Sequence, residues 1–119
     1  MKILAIRGAT TVEANTKEEI EAKSVELMCE IVKSNAYDFE TVSIIISTTE
    51  DITAFYPARA IREAGVLPAP LFSCKEPSID GALPLCIRVL VTVITNEENA
   101  EAKHVYLGKA KNLRKDLAK

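Results

Sequence analysis

Tryptophan is absent from this chain, and aromatic residues of every kind make up only 5% of it. Its core must therefore be aliphatic, and a 48% hydrophobic content supplies the Ile, Val, Leu and Ala for one. An excess of either charge is missing too, since 15 basic and 17 acidic residues leave a net charge of −2. Bulk electrostatics thus offers nothing to a nucleic acid or an anionic membrane, and any anion site has to be local. No apolar run approaches the roughly 20 residues that a membrane-spanning helix requires. The stretch from Lys2 to Ile6 is too short for a signal-peptide core and runs straight into Arg7. Cysteine is sparse: Cys29, Cys74 and Cys86 are odd in number, irregularly spaced and free of a CxxC pair, while His104 stands alone. That usage argues against a metal site and leads us to expect a reduced, cytoplasmic protein.

What is present fits one domain spanning residues 1–119. A domain this small buries only about two-thirds of its unfolded surface, so self-association is expected to complete it. Residues Lys2 to Ala9 read as a strand, with Ile3, Ala5 and Arg7 on one face and Leu4 and Ile6 on the other. Thr16 and Glu19 have capping-box spacing and open a helix whose apolar stripe runs through Ile20, Leu27, Met28, Ile31 and Val32 and ends at Asn35. Val42 to Ser47 is a β-branched run that reads as a strand buried on both faces. Pro57 starts a short helix that ends near Ala64, before Gly65. A short strand ends near Ser73, and a loop follows from Lys75 to Pro84. Cys86 to Thr95 is the clearest strand, with Cys86, Arg88, Leu90, Thr92 and Ile94 facing one way and Ile87, Val89, Val91 and Val93 the other. His104 to Leu107 is a final short strand before a basic tail. The order β-α-β-α-β-β-β predicts an α+β domain, a mixed β-sheet with helices on one face and apolar surface left over for subunit contact.

Arg7 and Arg88 interrupt apolar strand patterns. A guanidinium withdrawn from water costs several kcal/mol unless an anion meets it, typically about the scale of a buried unpaired charge. Each arginine reads alone as a structural salt bridge or a strand-edge side chain reaching solvent. The pair together suits a ligand with two carboxylates, each taking bidentate hydrogen bonds. Glu76 is either an ordinary surface carboxylate or an acceptor for a substrate hydroxyl. Cys74 has no histidine near it in sequence, so a covalent mechanism gains little support. Arg59 and Arg62 lie a helical turn apart, as a solvated basic face or as steering charges at a mouth. Tyr106 is core filler or a hydroxyl donor. Arg114 belongs to a tail that is either a frayed end or a cover for the site.

The strings Ile6-Arg7-Gly8-Ala9-Thr10-Thr11-Val12, Tyr56-Pro57-Ala58-Arg59-Ala60, Gly81-Ala82-Leu83-Pro84, Cys86-Ile87-Arg88-Val89-Leu90, His104-Val105-Tyr106-Leu107 and Leu113-Arg114 occur in this order. Together they resemble the trimeric, Bacillus-type chorismate mutases, from residue 3 to about 117. The resemblance implies a trimeric pseudo-α/β-barrel with active sites between subunits, and the rearrangement of chorismate to prephenate without cofactor or metal. It implies that Arg88 donates to the ether oxygen, that Arg7 holds a carboxylate, that Glu76 accepts from the ring hydroxyl and that Tyr106 contacts the side-chain carboxylate. Tyr56, Ala58, Arg59, Arg62, Phe72, Ser73, Cys74, Lys75, Leu113 and Arg114 would line or close the site. The family cysteine falls on Ser73 in an ungapped alignment, with Cys74 one place later, so either residue stands for it. Two other readings remain at this point: an imine or enamine deaminase of the related trimeric fold, or a non-catalytic module that binds a dicarboxylate of the aromatic pathway.

Overall fold

A computed structural model describes residues 1–113. The chain runs β1 (Lys2–Thr11), α1 (Lys17–Ser34), β2 (Glu40–Thr48), α2 (Pro57–Ala64), β3 (Leu71–Lys75), β4 (Cys86–Thr95), β5 (Val105–Tyr106) and a closing 3-10 turn, Gly108–Asn112. This is the expected α+β order. The strands form one five-stranded mixed sheet in the order β3-β2-β4-β1-β5. β4, the most regularly alternating segment, lies at the centre and pairs antiparallel with both β1 and β2. β3 and β5 add the parallel edges. Parallel neighbours need a crossover, and α2 supplies it between β2 and β3.

Local chemistry sets the helix ends. The Glu19 N–H donates to Thr16 Oγ1 at 3.2 Å, as a capping box requires, but the Glu19 carboxylate accepts from the N–H of Glu13 at 2.9 Å rather than from Thr16. Half of the expected box is therefore used to tie down the β1–α1 loop. Asn35 caps the other end of α1, its N–H reaching the carbonyls of Ile31 and Val32. α2 starts at Pro57 and stops at Gly65, whose φ of 65° is a left-handed conformation that suits glycine.

Both helices pack on one face of the sheet, where Ile20, Leu27, Met28, Ile31 and Ile61 meet Ile6, Ile44, Ile46, Val91 and Val93 in a single cluster. Each such aliphatic side chain contributes about 1.5–3 kcal/mol on burial. The opposite face carries no helix. There Ile3 is 71% exposed, Phe72 67%, Ile45 41% and Leu90 36%. The run from Val42 to Ser47 is thus not buried on both faces within one chain. Ile44 and Ile46 are buried, Ile45 is not, and Val42 falls at a register irregularity between Thr41 and Ser43.

Several strand boundaries differ from the sequence expectation, β2 among them, which runs from Glu40 to Thr48. β1 continues to Thr11, because Thr10 and Thr11 pair with Ile87 and Cys86. β3 continues to Lys75 beside Thr48. β5 holds only Val105 and Tyr106, and the start of the basic tail is a 3-10 turn. That turn docks on β1: Thr11 Oγ1 accepts the Lys109 N–H at 3.0 Å. A side chain on Gly108 would come within 2.7 Å of the same oxygen, at a φ of 57°.

Candidate active site

Register places the chemistry on the helix-free face. Cys74 is the partner of Ser47, Ser47 of Arg88, Arg88 of Ala9, and Ala9 of Tyr106, so these residues form one row across the sheet. Phe72, Ile45, Leu90 and Arg7 form the next row. Arg7 is therefore diagonal to Arg88 on adjacent strands, a spacing of about 7–8 Å that long side chains readily bridge. Both line a shallow hollow of about 220 Å³ together with Ile45, Ser47, Leu90 and Tyr106. The expectation that both guanidiniums are withdrawn from water does not hold in the single chain. Arg7 is exposed, and the Arg88 side chain is 46% exposed, because the face they share is uncovered.

Glu76 reaches this row from the end of β3. Its N–H donates to the Thr48 carbonyl at 2.8 Å, which continues the β2–β3 ladder by one residue. Its Oε1 accepts the Ser47 hydroxyl and lies 3.4 Å from Arg88 Nε. Arg88 is thus paired with Glu76 by charge and also reaches the Cys86 thiol, and a guanidinium with five N–H donors keeps others for a ligand. Among the described residues no carboxylate pairs with Arg7. Lys75 does not pair with Glu76. It alternates to the other side of β3, as neighbours on a strand must.

The same alternation separates the two candidates for the thiol position. Cys74 is in register with Ser47 and Arg88, whereas Ser73 is in register with the buried Ile46. Ser73, Cys74 and Lys75 border a larger hollow of about 750 Å³ with Tyr56 and Arg59. Tyr56, Ala58, Arg59 and Arg62 border a third, of about 520 Å³. Arg59 is held by Glu63 at 2.9 Å and by the Phe55 ring, whose centroid lies 5.5 Å from its guanidinium carbon. The hollow with Arg7, Arg88 and Tyr106 shares no lining residue with the one bordered by Tyr56 and Cys74. One chain therefore presents two separate open hollows rather than one enclosed pocket.

Tyr106 is buried against Ala9 and Ala110, with Leu83 and Leu113 packed beside them, so the 3-10 turn brings Leu113 to the tyrosine. Arg114 lies outside the described residues. Cys86 enters the same strand face as Arg88, but burial pushes its thiol up despite the opposing pull of Arg88. It is a packing residue, not a nucleophile. Two contributors escaped the sequence reading. Ser47, which grips Glu76, looked like a strand terminus. Asp51, whose carboxylate accepts the Leu85 N–H at 3.0 Å, anchors the loop between Glu76 and β4. Their partners are distant in sequence, and no local pattern marks them. Among the described residues no group of acidic, histidine or cysteine side chains is arranged to hold a metal ion.

This arrangement can bind an anion with more than one carboxylate and place a cation beside it. A family model described as "Chorismate mutase type I" matches residues 3–117. The chain is 42% identical over 120 residues to "Chorismate mutase AroH" of Bacillus subtilis, covering 99% of this chain and 94% of that protein. It is 39% identical over 118 residues to "Chorismate mutase AroH" of Thermus thermophilus, covering 97% and 96% respectively. Its structure is similar to that of a chorismate mutase from Clostridium thermocellum, with a TM-score of 0.82, 40% identity, and coverage of 91% of this chain and 97% of the other.

Proposed function

Because this chain belongs to the chorismate mutase type I family, and so is an isomerase that turns chorismate into prephenate in aromatic amino acid biosynthesis, we propose that its paired arginines carry the reaction. The observation that bears most weight is the diagonal placement of Arg7 and Arg88 on one sheet face, with Glu76 beside Arg88. Of the readings raised by the sequence, the mutase is the one that the family match supports; the deaminase and the non-catalytic module have no comparable support.

Chorismate carries two carboxylates, a ring hydroxyl and an enolpyruvyl ether. Its rearrangement breaks the ether C–O bond and forms a C–C bond within the same molecule. No proton has to move and no covalent enzyme intermediate is needed, so the proposal includes neither cofactor nor metal. What the protein supplies is the compact substrate conformer and charge that matches the transition state better than the ground state. Arg7 holds one carboxylate. Arg88 donates to the ether oxygen, where negative charge grows, and to a carboxylate. A preorganised donor at such a position is typically worth about 3–4 kcal/mol. Glu76, fixed by Ser47, accepts from the ring hydroxyl and offsets positive charge on the ring fragment. Tyr106 contacts the side-chain carboxylate, and Cys74, which borders the hollow with Tyr56 and Arg59, takes the thiol position.

The site is completed by another copy of the chain in a homotrimer. The exposed apolar residues Ile3, Ile45, Phe72 and Leu90 support this reading, because a lone soluble chain seldom leaves so much of one sheet face uncovered. The size of the hollow supports it too. At about 220 Å³ it falls below the roughly 300 Å³ at which ligand pockets begin, so it needs a further wall. In this arrangement Arg7, Arg88 and Tyr106 come from one copy. Tyr56, Ala58, Arg59, Arg62, Phe72, Ser73, Cys74 and Lys75 form the facing wall on the next, and Leu113 closes the mouth. The single domain covers residues 1–119 and works in the cytoplasm; among the described residues no helix is long and apolar enough to cross a membrane.

Co-assembly tests the arrangement. Arg88→Ala and Arg62→Ala, each weak alone, should regain turnover when co-expressed, followed as loss of the chorismate absorbance, since some mixed trimers then hold an intact site. Co-expressed variants no more active than either parent would contradict a shared site.

A further inference from the structure

On β1, alternate residues turn their N–H and C=O towards β5, and the Ala9 carbonyl accepts the Leu107 N–H at 2.9 Å. Arg7, two residues earlier on the strand, turns its own N–H the same way. But β5 begins only at Val105, beside Gly8, and does not extend far enough to meet it. A side chain takes over: Nδ1 of His104 accepts the Arg7 N–H at 2.9 Å. An accepting Nδ1 carries no proton, so the ring is neutral with its hydrogen on Nε2. The sheet edge is thereby continued by one hydrogen bond at the residue whose side chain enters the ligand hollow.

His104 is itself held on both sides in the chain. On one side Val105 and Tyr106 are paired with Gly8 and Ala9. On the other, Lys103 is fixed by the buried Asn35. Asn35 Oδ1 accepts the Lys103 N–H at 2.8 Å, while Asn35 Nδ2 donates to the Lys103 carbonyl at 3.0 Å and to the Ile31 carbonyl at 2.8 Å. A continuous set of hydrogen bonds thus runs from the end of α1 through Lys103 and His104 to the backbone of Arg7. An error in backbone direction at Arg7 is magnified at its guanidinium, which sits at the end of a long side chain.

We propose that His104 is a positioning residue for substrate binding, its Nδ1 fixing the Arg7 backbone so that the guanidinium meets the carboxylate in register with Arg88. It touches no reacting atom and acts through Arg7. The inference rests on the reading of Arg7 as the carboxylate grip, and a double-mutant cycle separates the two. The proteins are the full chain, His104→Leu, Arg7→Ala and the double variant, with His104→Asn added because its side-chain oxygen can accept the same N–H. Initial rates of chorismate loss give kcat and KM for each, and thermal melting reports the fold.

His104→Leu should lower kcat/KM by about 10-fold, with most of the change in KM, as a small misplacement of a binding group does. His104→Asn should recover most of that loss. In the Arg7→Ala background, His104→Leu should change kcat/KM by no more than about twofold. An equal loss in both backgrounds, or His104→Asn as poor as His104→Leu, would overturn the proposal. So would loss of cooperative melting in both His104 variants, since the side chain would then serve the fold and not Arg7. Unchanged kinetics in Arg7→Ala would instead remove the carboxylate reading itself, and the inference with it.

Discussion

The two faces of the sheet are made by the same strands, yet they do different work. On the helix-covered face Ile6, Ile44, Ile46, Val91 and Val93 are fully buried or nearly so. On the other, their neighbours in sequence, Ile45 and Leu90, meet solvent, and Arg7 and Arg88 stand among them. The covered face is finished within one chain and holds the fold together. The open face leaves apolar side chains uncovered and carries Arg7 and Arg88 among them. Strand alternation makes this possible, since a residue and its neighbour can belong to the core and to the site without sharing either constraint.

That contrast predicts opposite outcomes for substitutions one residue apart. The largest effect on turnover is expected from Arg88→Ala, a fall in kcat/KM of about 10³-fold or more with little change in melting temperature. Ile46→Ala, on the covered face, should instead destabilise the fold by about 2–5 kcal/mol in denaturant titrations, while protein that remains folded keeps its rate. If Ile46→Ala left stability intact and removed activity, the division between faces would fail. Ile45→Lys places a charge in the proposed subunit contact. It should shift the sedimentation of the protein to that of a single chain and abolish most turnover, yet retain the circular dichroism of the folded domain. A trimer that survives this change would mean that the open face is not the contact.

Smaller effects sharpen the comparison within β3. Cys74→Ala, on the arginine face, is expected to lower kcat/KM by roughly 10-fold, and Ser73→Ala, on the opposite face, by no more than about twofold. The reverse ranking would place the thiol function on the hydroxyl. The smallest expected change is in Thr16→Ala, which removes the α1 cap and should reduce unfolding free energy by about 1 kcal/mol with no effect on turnover.

Much of this was legible in the sequence where periodicity was strong. β4 alternates over its whole length, and Pro57 and Gly65 mark the limits of α2, so these elements fall where the pattern puts them. Alternation shows that a strand has two faces; it does not say whether a helix, a second copy or water covers each. That is why β2 read as buried on both sides and why the arginines read as withdrawn from water. The arginines themselves were visible as charges in apolar strands. Ser47, His104 and the choice between Ser73 and Cys74 were not, because each depends on register between strands far apart in the chain: the His104–Arg7 contact spans 97 residues.

We propose that Arg88, beside Glu76 and facing the breaking ether bond, acts by its forked guanidinium and not by charge alone. Steady-state kinetics of Arg88→Lys on chorismate tests this most directly, because lysine keeps the charge and loses the fork. A loss of roughly 10²-fold or more in kcat/KM, carried mainly by kcat, is the expected result. A lysine variant with near-normal kcat/KM would contradict it.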